Sequence, residues 1–153
     1  MKFMIDENIP QTVAALLTAA YPVVRHEFTH VYDVDWGSVK DDPLIAAVAD
    51  HGYDALITED RRQLKDHAPA LLRAGIHWVG YKSKTRLSGT AAFTSKTATV
   101  VAAMDLVIAE IESAHQQVFL NLHNIPLERG QRLRVIPSDS VRSLAARYSI
   151  DPS

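Results

Sequence analysis

Hydrophobic and polar positions alternate in short blocks along this chain. Residues 2–5, Lys-Phe-Met-Ile, are an apolar run closed by Asp6, the pattern of a buried strand. Pro10 suits the first turn of a helix carrying Val13, Leu16 and Leu17. Residues 22–30, with Val23, Val24 and Phe28, read as a second strand running into a loop. Asp42-Pro43 sets a helix start, with aspartate at the N-cap and proline at the first helical position. Leu44, Ile45 and Val48 supply that helix's apolar face, and Gly52 ends it. Residues 53–57 form another strand, with Thr58-Glu59-Asp60 at its carboxyl end. One helix over 61–74 follows, closed by Gly75, and then a strand over 76–81. Residues 90–114 set Phe93, Val100, Val101, Met104, Val107, Ile108 and Ile111 at helical spacing. Further on, strands are expected at 118–120 and 133–136. A terminal helix, capped by Asp139 or Ser140, runs through Leu144.

Strands and helices alternating at this rhythm predict an α/β fold, a three-layer α/β/α sandwich around a mostly parallel sheet. At 153 residues the chain reads as one domain, with no repeat and no linker. Chemistry in such sheets collects beyond the carboxyl ends of the strands, which directs attention to Asp6 and Asp60.

Composition narrows the classes. The chain is 47% hydrophobic and 22% charged, a globular rather than a disordered composition. It has no cysteine, which excludes disulfides, thiolate catalysis and Cys-based zinc or iron–sulfur sites and fits a reducing compartment. The amino-terminal apolar run is cut by Asp6 and Glu7, so it reads as neither signal peptide nor membrane span. The apolar segment 98–111 contains Asp105 and Glu110 and reads as too short to cross a bilayer. A cytoplasmic protein with no membrane partner is the expectation. Residues 1–66 carry twelve acids against six Lys/Arg, while residues 67–153 carry six acids against ten. An acidic half joined to a basic one suits a cation site beside a polyanion-binding surface, or simply a mixed surface.

Two patterns bear on chemistry. The first, His26-Glu27-Phe-Thr-His30, has the form of a zinc-hydrolase motif, which needs a helix to bring both imidazoles to one face. Val23, Val24, Thr29 and Val31 favour extended structure, which points Glu27 away from the histidines, although Val24, Phe28 and Val31 also fit a helix. The glycine and third histidine of the longer motif are also missing. A strand end with partly exposed histidines is the expectation.

The second pattern is a set of aspartates, Asp6, Asp42 and Asp60, that a parallel sheet can bring to one edge. Taken singly, Asp6 reads as a solvated strand end, and Asp42 and Asp60 as helix caps. Taken together they suit Mg²⁺ or Mn²⁺, hard ions that take carboxylate oxygens and water. Unpaired, such clustered acids would repel one another. A site of that kind supports phosphodiester hydrolysis.

Here the strings resemble a known family. Asp6-Glu7-Asn8 after a short apolar strand resembles the Asp-x-Asn opening of PIN domains. Thr58-Glu59-Asp60-Arg61-Arg62-Gln63-Leu64 is similar to their Thr-x-Asp-x-x-(Phe/Leu) element. Asp42-Pro-Leu-Ile-Ala-Ala-Val-Ala resembles the (Asp/Glu)-x-x-Ile helix of a compact PIN-like branch related to bacterial VapC-type toxins. The likeness runs in matching order over residues 2–80. It implies a PIN-like α/β/α fold and a Mg²⁺- or Mn²⁺-dependent endoribonuclease, the toxin of a toxin–antitoxin pair.

By that resemblance Asp6, Asp42 and Asp60 are catalytic metal ligands, Thr58 orients the strand-end loop, and Asn8 holds Asp6 by a hydrogen bond. Asp41 competes with Asp42, which is preferred because its distance to Ile45 matches the pattern. PIN domains commonly carry a fourth acid after the next strand, where this chain reads Gly80-Tyr81-Lys82-Ser83-Lys84. Glu7 or Glu59 would substitute, or the site is a single-metal or weak one. Beyond residue 80 the likeness fades. The segment 88–153, with its long helix and its arginines 129, 132 and 134, reads as an elaboration for dimerisation or antitoxin binding.

Arg61, Arg62 and Lys65 after Asp60, and Lys82, Lys84 and Arg86 after the next strand, would flank the acidic edge and hold RNA phosphates. Their alternative is a solvated charged face. Trp36, Trp78 and Tyr81 suit base stacking or, more simply, the core. Two rivals to the nuclease remain. A phosphoacceptor receiver domain would use Asp60, with Asp6-Glu7 beside it, but Ser83 and Lys82 or Lys84 fit its other positions poorly. A non-catalytic PIN-like binding module would keep the fold and lose the chemistry.

Overall fold

A computed structural model of the chain describes residues 1–22, 24–83 and 87–126. The strand and helix expected within 133–144, the arginines at 129, 132 and 134, and Val23, Lys84 and Arg86 lie outside the described residues. Five strands, β1 (Lys2–Ile5), β2 (Glu27–His30), β3 (Ala55–Thr58), β4 (His77–Tyr81) and β5 (Phe119–Leu122), form one sheet. Their order is β2-β1-β3-β4-β5, and every neighbouring pair is parallel. Parallel strands need crossovers that cover the sheet, so both faces must be apolar. β3, Ala-Leu-Ile-Thr, is accordingly buried along its whole length.

The helices are α1 (Thr12–Ala20), α2 (Asp41–Asp50), α3 (Arg61–Asp66), α4 (Ala68–Ala74) and α5 (Gly89–Ser113). One core joins α1 and α5 to the sheet, with Val13, Leu17, Val100 and Met104 packed beside Phe3, Ile5, Ile57 and Val79. The other joins α2 and α4, with Leu44, Ile45, Val48 and Leu71 beside Met4, Leu56 and Trp78. The three-layer α/β/α arrangement is therefore present, around a sheet that is wholly parallel.

Local chemistry moved several boundaries. Pro22 and residues 24–26 are not strand: Arg25 and His26 donate their backbone N–H groups back to the Pro22 carbonyl, and β2 starts at Glu27. The helix expected from Asp42 starts at Asp41, with Lys40 at the cap and Pro43 third. Proline is still tolerated there, because first-turn N–H groups have no partner within the helix. The single helix expected over 61–74 is broken at His67 (φ −120°, ψ 19°). Pro69 explains the break, since its ring would meet the carbonyl of Lys65 in a continuous helix. It sits instead in the first turn of α4.

The apolar stretch read as too short for a bilayer is also corrected. α5 is 25 residues long, and its mean hydropathy of 1.4 over an 18-residue window suffices, by length and composition, to cross a membrane. Its buried residues Val100, Met104, Val107, Ile108 and Ile111 pack against the sheet.

Gly80 shows how closely this core is filled. A Cβ there would lie 2.0 Å from the Trp78 ring, which crosses the glycine on the same strand. Gly80→Ala should push the indole aside and lower stability by about 1–3 kcal/mol, the usual cost of overpacking. Urea denaturation checks this, and an unchanged midpoint would mean the ring moves freely.

Candidate functional site

The sheet order fixes where chemistry can gather. From β1 the chain crosses to β2 on one side and later returns to β3 on the other, so a crevice opens beyond the carboxyl ends of β1 and β3. Asp6 follows β1 directly, with its backbone N–H on the Ile57 carbonyl at 2.9 Å. Thr58 ends β3 and is fully buried. Its hydroxyl donates to Asp6 Oδ2 at 2.7 Å and accepts the Asp60 N–H at 3.0 Å. One hydroxyl thus ties the two loops that carry the acids. Asn8 Nδ2 also donates to Asp6 Oδ2, at 3.2 Å, and the Glu7 N–H donates to Oδ1 at 2.8 Å. Asp60 Oδ1 accepts the Arg62 N–H at 2.9 Å, capping α3.

Asp6 is only 6% exposed. Burial pushes its carboxyl above the usual aspartate range, the bonds from Thr58, Glu7 and Asn8 pull it partly back, and the neighbouring Glu7 charge raises it. A pKa higher in the folded than in the unfolded chain means the native state holds that proton more tightly. Wild-type stability therefore falls as pH rises from the ordinary value of 3.8 through the raised one. Asp6→Asn removes this burden. In EDTA the variant should melt above wild type at neutral pH, with the gap closing as the solution is acidified toward about pH 4. Equal melting curves across that range would contradict the burial effect.

The second acid stands differently. Asp42 Oδ1 lies 2.6 Å from His67 Nδ1, and the residue lines a hollow with Ala46, Ala70 and Arg73 between α2 and α4. Its carboxylate is the main cause of a raised His67 pKa. Asp41 Oδ2 is 3.3 Å from His67 Nε2, and its Oδ1 accepts from Gln63 Nε2 at 2.6 Å. Gln63 is buried one turn past Asp60 and accepts from the Trp78 indole at 3.0 Å. So Asp41, not Asp42, is linked through Gln63 to the helix that Asp60 caps. Among the described residues no three His, Asp or Glu side chains form a group able to hold a metal ion. The structure ties the Asp6 carboxylate to the Asp60 backbone through Thr58 and leaves Asp42 on His67.

Of the substitutes, Glu7 turns to the Ser38 N–H at 2.8 Å. Glu59 accepts from the Ser83 hydroxyl and pairs with Lys96 Nζ at 2.5 Å. Asn8, Glu59, Asp60 and Lys96 line a cavity of about 390 Å³. Lys96 escaped the sequence reading because it stands alone in the apolar helical run, away from every basic cluster. Only the packing of α5 brings it to this edge.

A hard cation fits these residues in a limited way. A carboxylate has about four lone-pair sites. Protein donors fill three on Asp6 and one on Asp60, among the described residues. Mg²⁺ is commonly held by one or two carboxylates, with water and phosphate oxygens completing the shell. Asp6 and Asp60 suit that arrangement, and a three-carboxylate cage is not formed. A positive charge would also offset the desolvation of Asp6.

The His26–His30 string holds no site. Glu27–His30 is strand β2, and Glu27 points out to Lys2 at 3.6 Å. His30 is fully buried, not partly exposed: its Nδ1 accepts the Tyr32 N–H, and its Nε2 bonds the Ile9 carbonyl at 2.9 Å. Both ring nitrogens are thereby occupied. Trp78 and Tyr81 belong to the two cores, and Trp36 packs edge-on against His51 and Tyr53. Arg61, Arg62 and Lys65 on α3, and Lys82 after β4, are exposed.

The family model that matches this chain is described as a PIN like domain and covers residues 1–83. No curated protein and no solved structure matches it.

Proposed function

This chain belongs to the PIN-like domain family, a nuclease-type module, and on that premise we propose that it is a Mg²⁺- or Mn²⁺-dependent endoribonuclease. The observation that carries this reading is the buried Thr58 hydroxyl joining the Asp6 carboxylate to the Asp60 backbone at the crevice beyond the carboxyl ends of β1 and β3. Asp6 and Asp60 would hold the ion. When bound, it would supply water activation and charge neutralisation at the scissile phosphate. Thr58 and Asn8 fix the orientation of Asp6, and Asp60 is fixed by its cap on α3. Arg61, Arg62, Lys65 and Lys82 offer cations to flanking phosphates, which position a strand without reading its sequence.

The test is cleavage of a labelled RNA by the purified chain with Mg²⁺ or Mn²⁺, against EDTA and against Asp60→Asn. Cleavage that persists in EDTA would refute the proposal. At the cellular level the chain would be a VapC-type toxin restrained by an antitoxin protein. Expression alone should then arrest bacterial growth, while Asp60→Asn should not.

A second reading is favoured by one observation: β4 leads into Lys82 and Ser83 instead of an acid, and Asp42 is committed to His67. On that reading the chain is a PIN-like module that binds RNA or protein without cutting, and wild type and Asp60→Asn would be alike in every cleavage assay.

A further inference from the structure

The sequence likeness ends near residue 80 and the family match at residue 83, but the carboxyl edge of the sheet is completed from outside both. Lys96, on α5, reaches the loops after β1 and β3. Its ammonium pairs with Glu59 Oε2 at 2.5 Å and donates to the Asn8 carbonyl at 3.3 Å. Glu59 stands between Thr58 and Asp60, and Asn8 is the residue whose amide holds Asp6. The Lys96 and Glu59 side chains are 27% and 17% exposed, so this pair is screened less than a surface one. Glu59 is held a second time by the Ser83 hydroxyl, which fixes where the ammonium rests.

Two features make this more than a structural ion pair. An ammonium has three donors, and the described contacts use two, leaving one for a guest in the cavity that Lys96 lines with Asp60. The cavity is also acidic without it. Glu59 and Asp60 line it and Asp6 is held by Asn8, so a phosphodiester meets acidic repulsion that the Lys96 ammonium lessens.

We propose that Lys96 is a phosphate-binding residue of the site, its free donor taking a non-bridging oxygen of an RNA phosphodiester lodged against Asp60. The proposal rests on the nuclease reading for the identity of the guest. It adds that the segment beyond the family match supplies part of the site. Lys96 then acts as a resident positive charge opposite the cation-binding acids.

Binding of a labelled, unstructured RNA oligonucleotide to the full chain in EDTA, followed by fluorescence anisotropy between about 50 and 200 mM salt, tests this. Lys96→Met should weaken binding about tenfold, the loss of one charge-assisted hydrogen bond. It should also lower the slope of log affinity against log salt by about 0.7, one phosphate contact on a single strand. Lys96→Arg should restore the slope. The double variant Lys96→Met/Glu59→Gln removes the ion pair without leaving a lone acid, and circular dichroism checks its fold. If Lys96 serves only to neutralise Glu59, the double variant will bind like wild type, and the proposal is overturned. An unchanged slope in Lys96→Met, or a wild-type chain that binds no RNA, overturns it as well. Failure of the nuclease reading looks different: the slope depends on Lys96 as expected, but wild type with Mg²⁺ or Mn²⁺ leaves the RNA intact.

Discussion

Asp60→Asn should cut RNA on the order of 10³-fold more slowly than wild type, a loss of about 4 kcal/mol of transition-state stabilisation. The substitution is selective because asparagine is as good an N-cap as aspartate. Its side-chain oxygen can still accept the Arg62 N–H, so α3 keeps its start while the negative charge disappears. Asp6→Asn should cost as much activity while raising the melting temperature in EDTA, since it removes a desolvated carboxylate. Opposite signs on activity and stability are expected where a buried charge is kept for chemistry. Initial rates on a fluorogenic RNA, with circular dichroism as the folding control, give the comparison. Wild-type rates in Asp60→Asn would remove this residue from the machinery.

Thr58→Val should destabilise the fold by about 2–4 kcal/mol. Valine keeps the shape and the strand preference but lacks the hydroxyl, so two groups lose a partner at once. The Asp60 N–H is left without its acceptor, and Asp6 Oδ2 loses its shortest bond. Leaving buried groups unsatisfied costs more than the bond itself contributed. A domain of this size loses about 2–4 °C per kcal/mol, so melting should fall by roughly 5–15 °C. Thr58→Ser, which retains the oxygen, should recover most of the loss. If valine melts like wild type, the hydroxyl bridge contributes nothing and Asp6 is held by Asn8 and Glu7 alone.

How much of this was legible along the chain differs from residue to residue. The apolar run Phe3-Met-Ile5 and the Asp-x-Asn string after it located the first strand and its acid, because a buried strand and the residue ending it are adjacent in sequence. The link from Thr58 to Asp60 is equally local. Pro69 was visible as a residue that interrupts helices, but residues 61–74 read as one helix because their apolar spacing continues across the break. Spacing to Ile45 favoured Asp42 over Asp41, but spacing along one helix does not show which acid meets α3. Which one meets Gln63 and which meets His67 depends on how α2 lies beside α3 and the break that ends it.

The sequence by itself determined the α/β alternation, the family over residues 1–83, and the positions of Asp6, Thr58 and Asp60 at strand ends. Each of these is written in periodicity or in contacts a few residues apart. Only the tertiary structure decided that Asp42 belongs to His67, that His30 is a buried structural imidazole, and that Lys96 faces Glu59 from a distant helix. Those outcomes depend on how helices dock on the two faces of the sheet. Docking is set by the summed burial of many apolar side chains, and no short string of residues encodes such a sum.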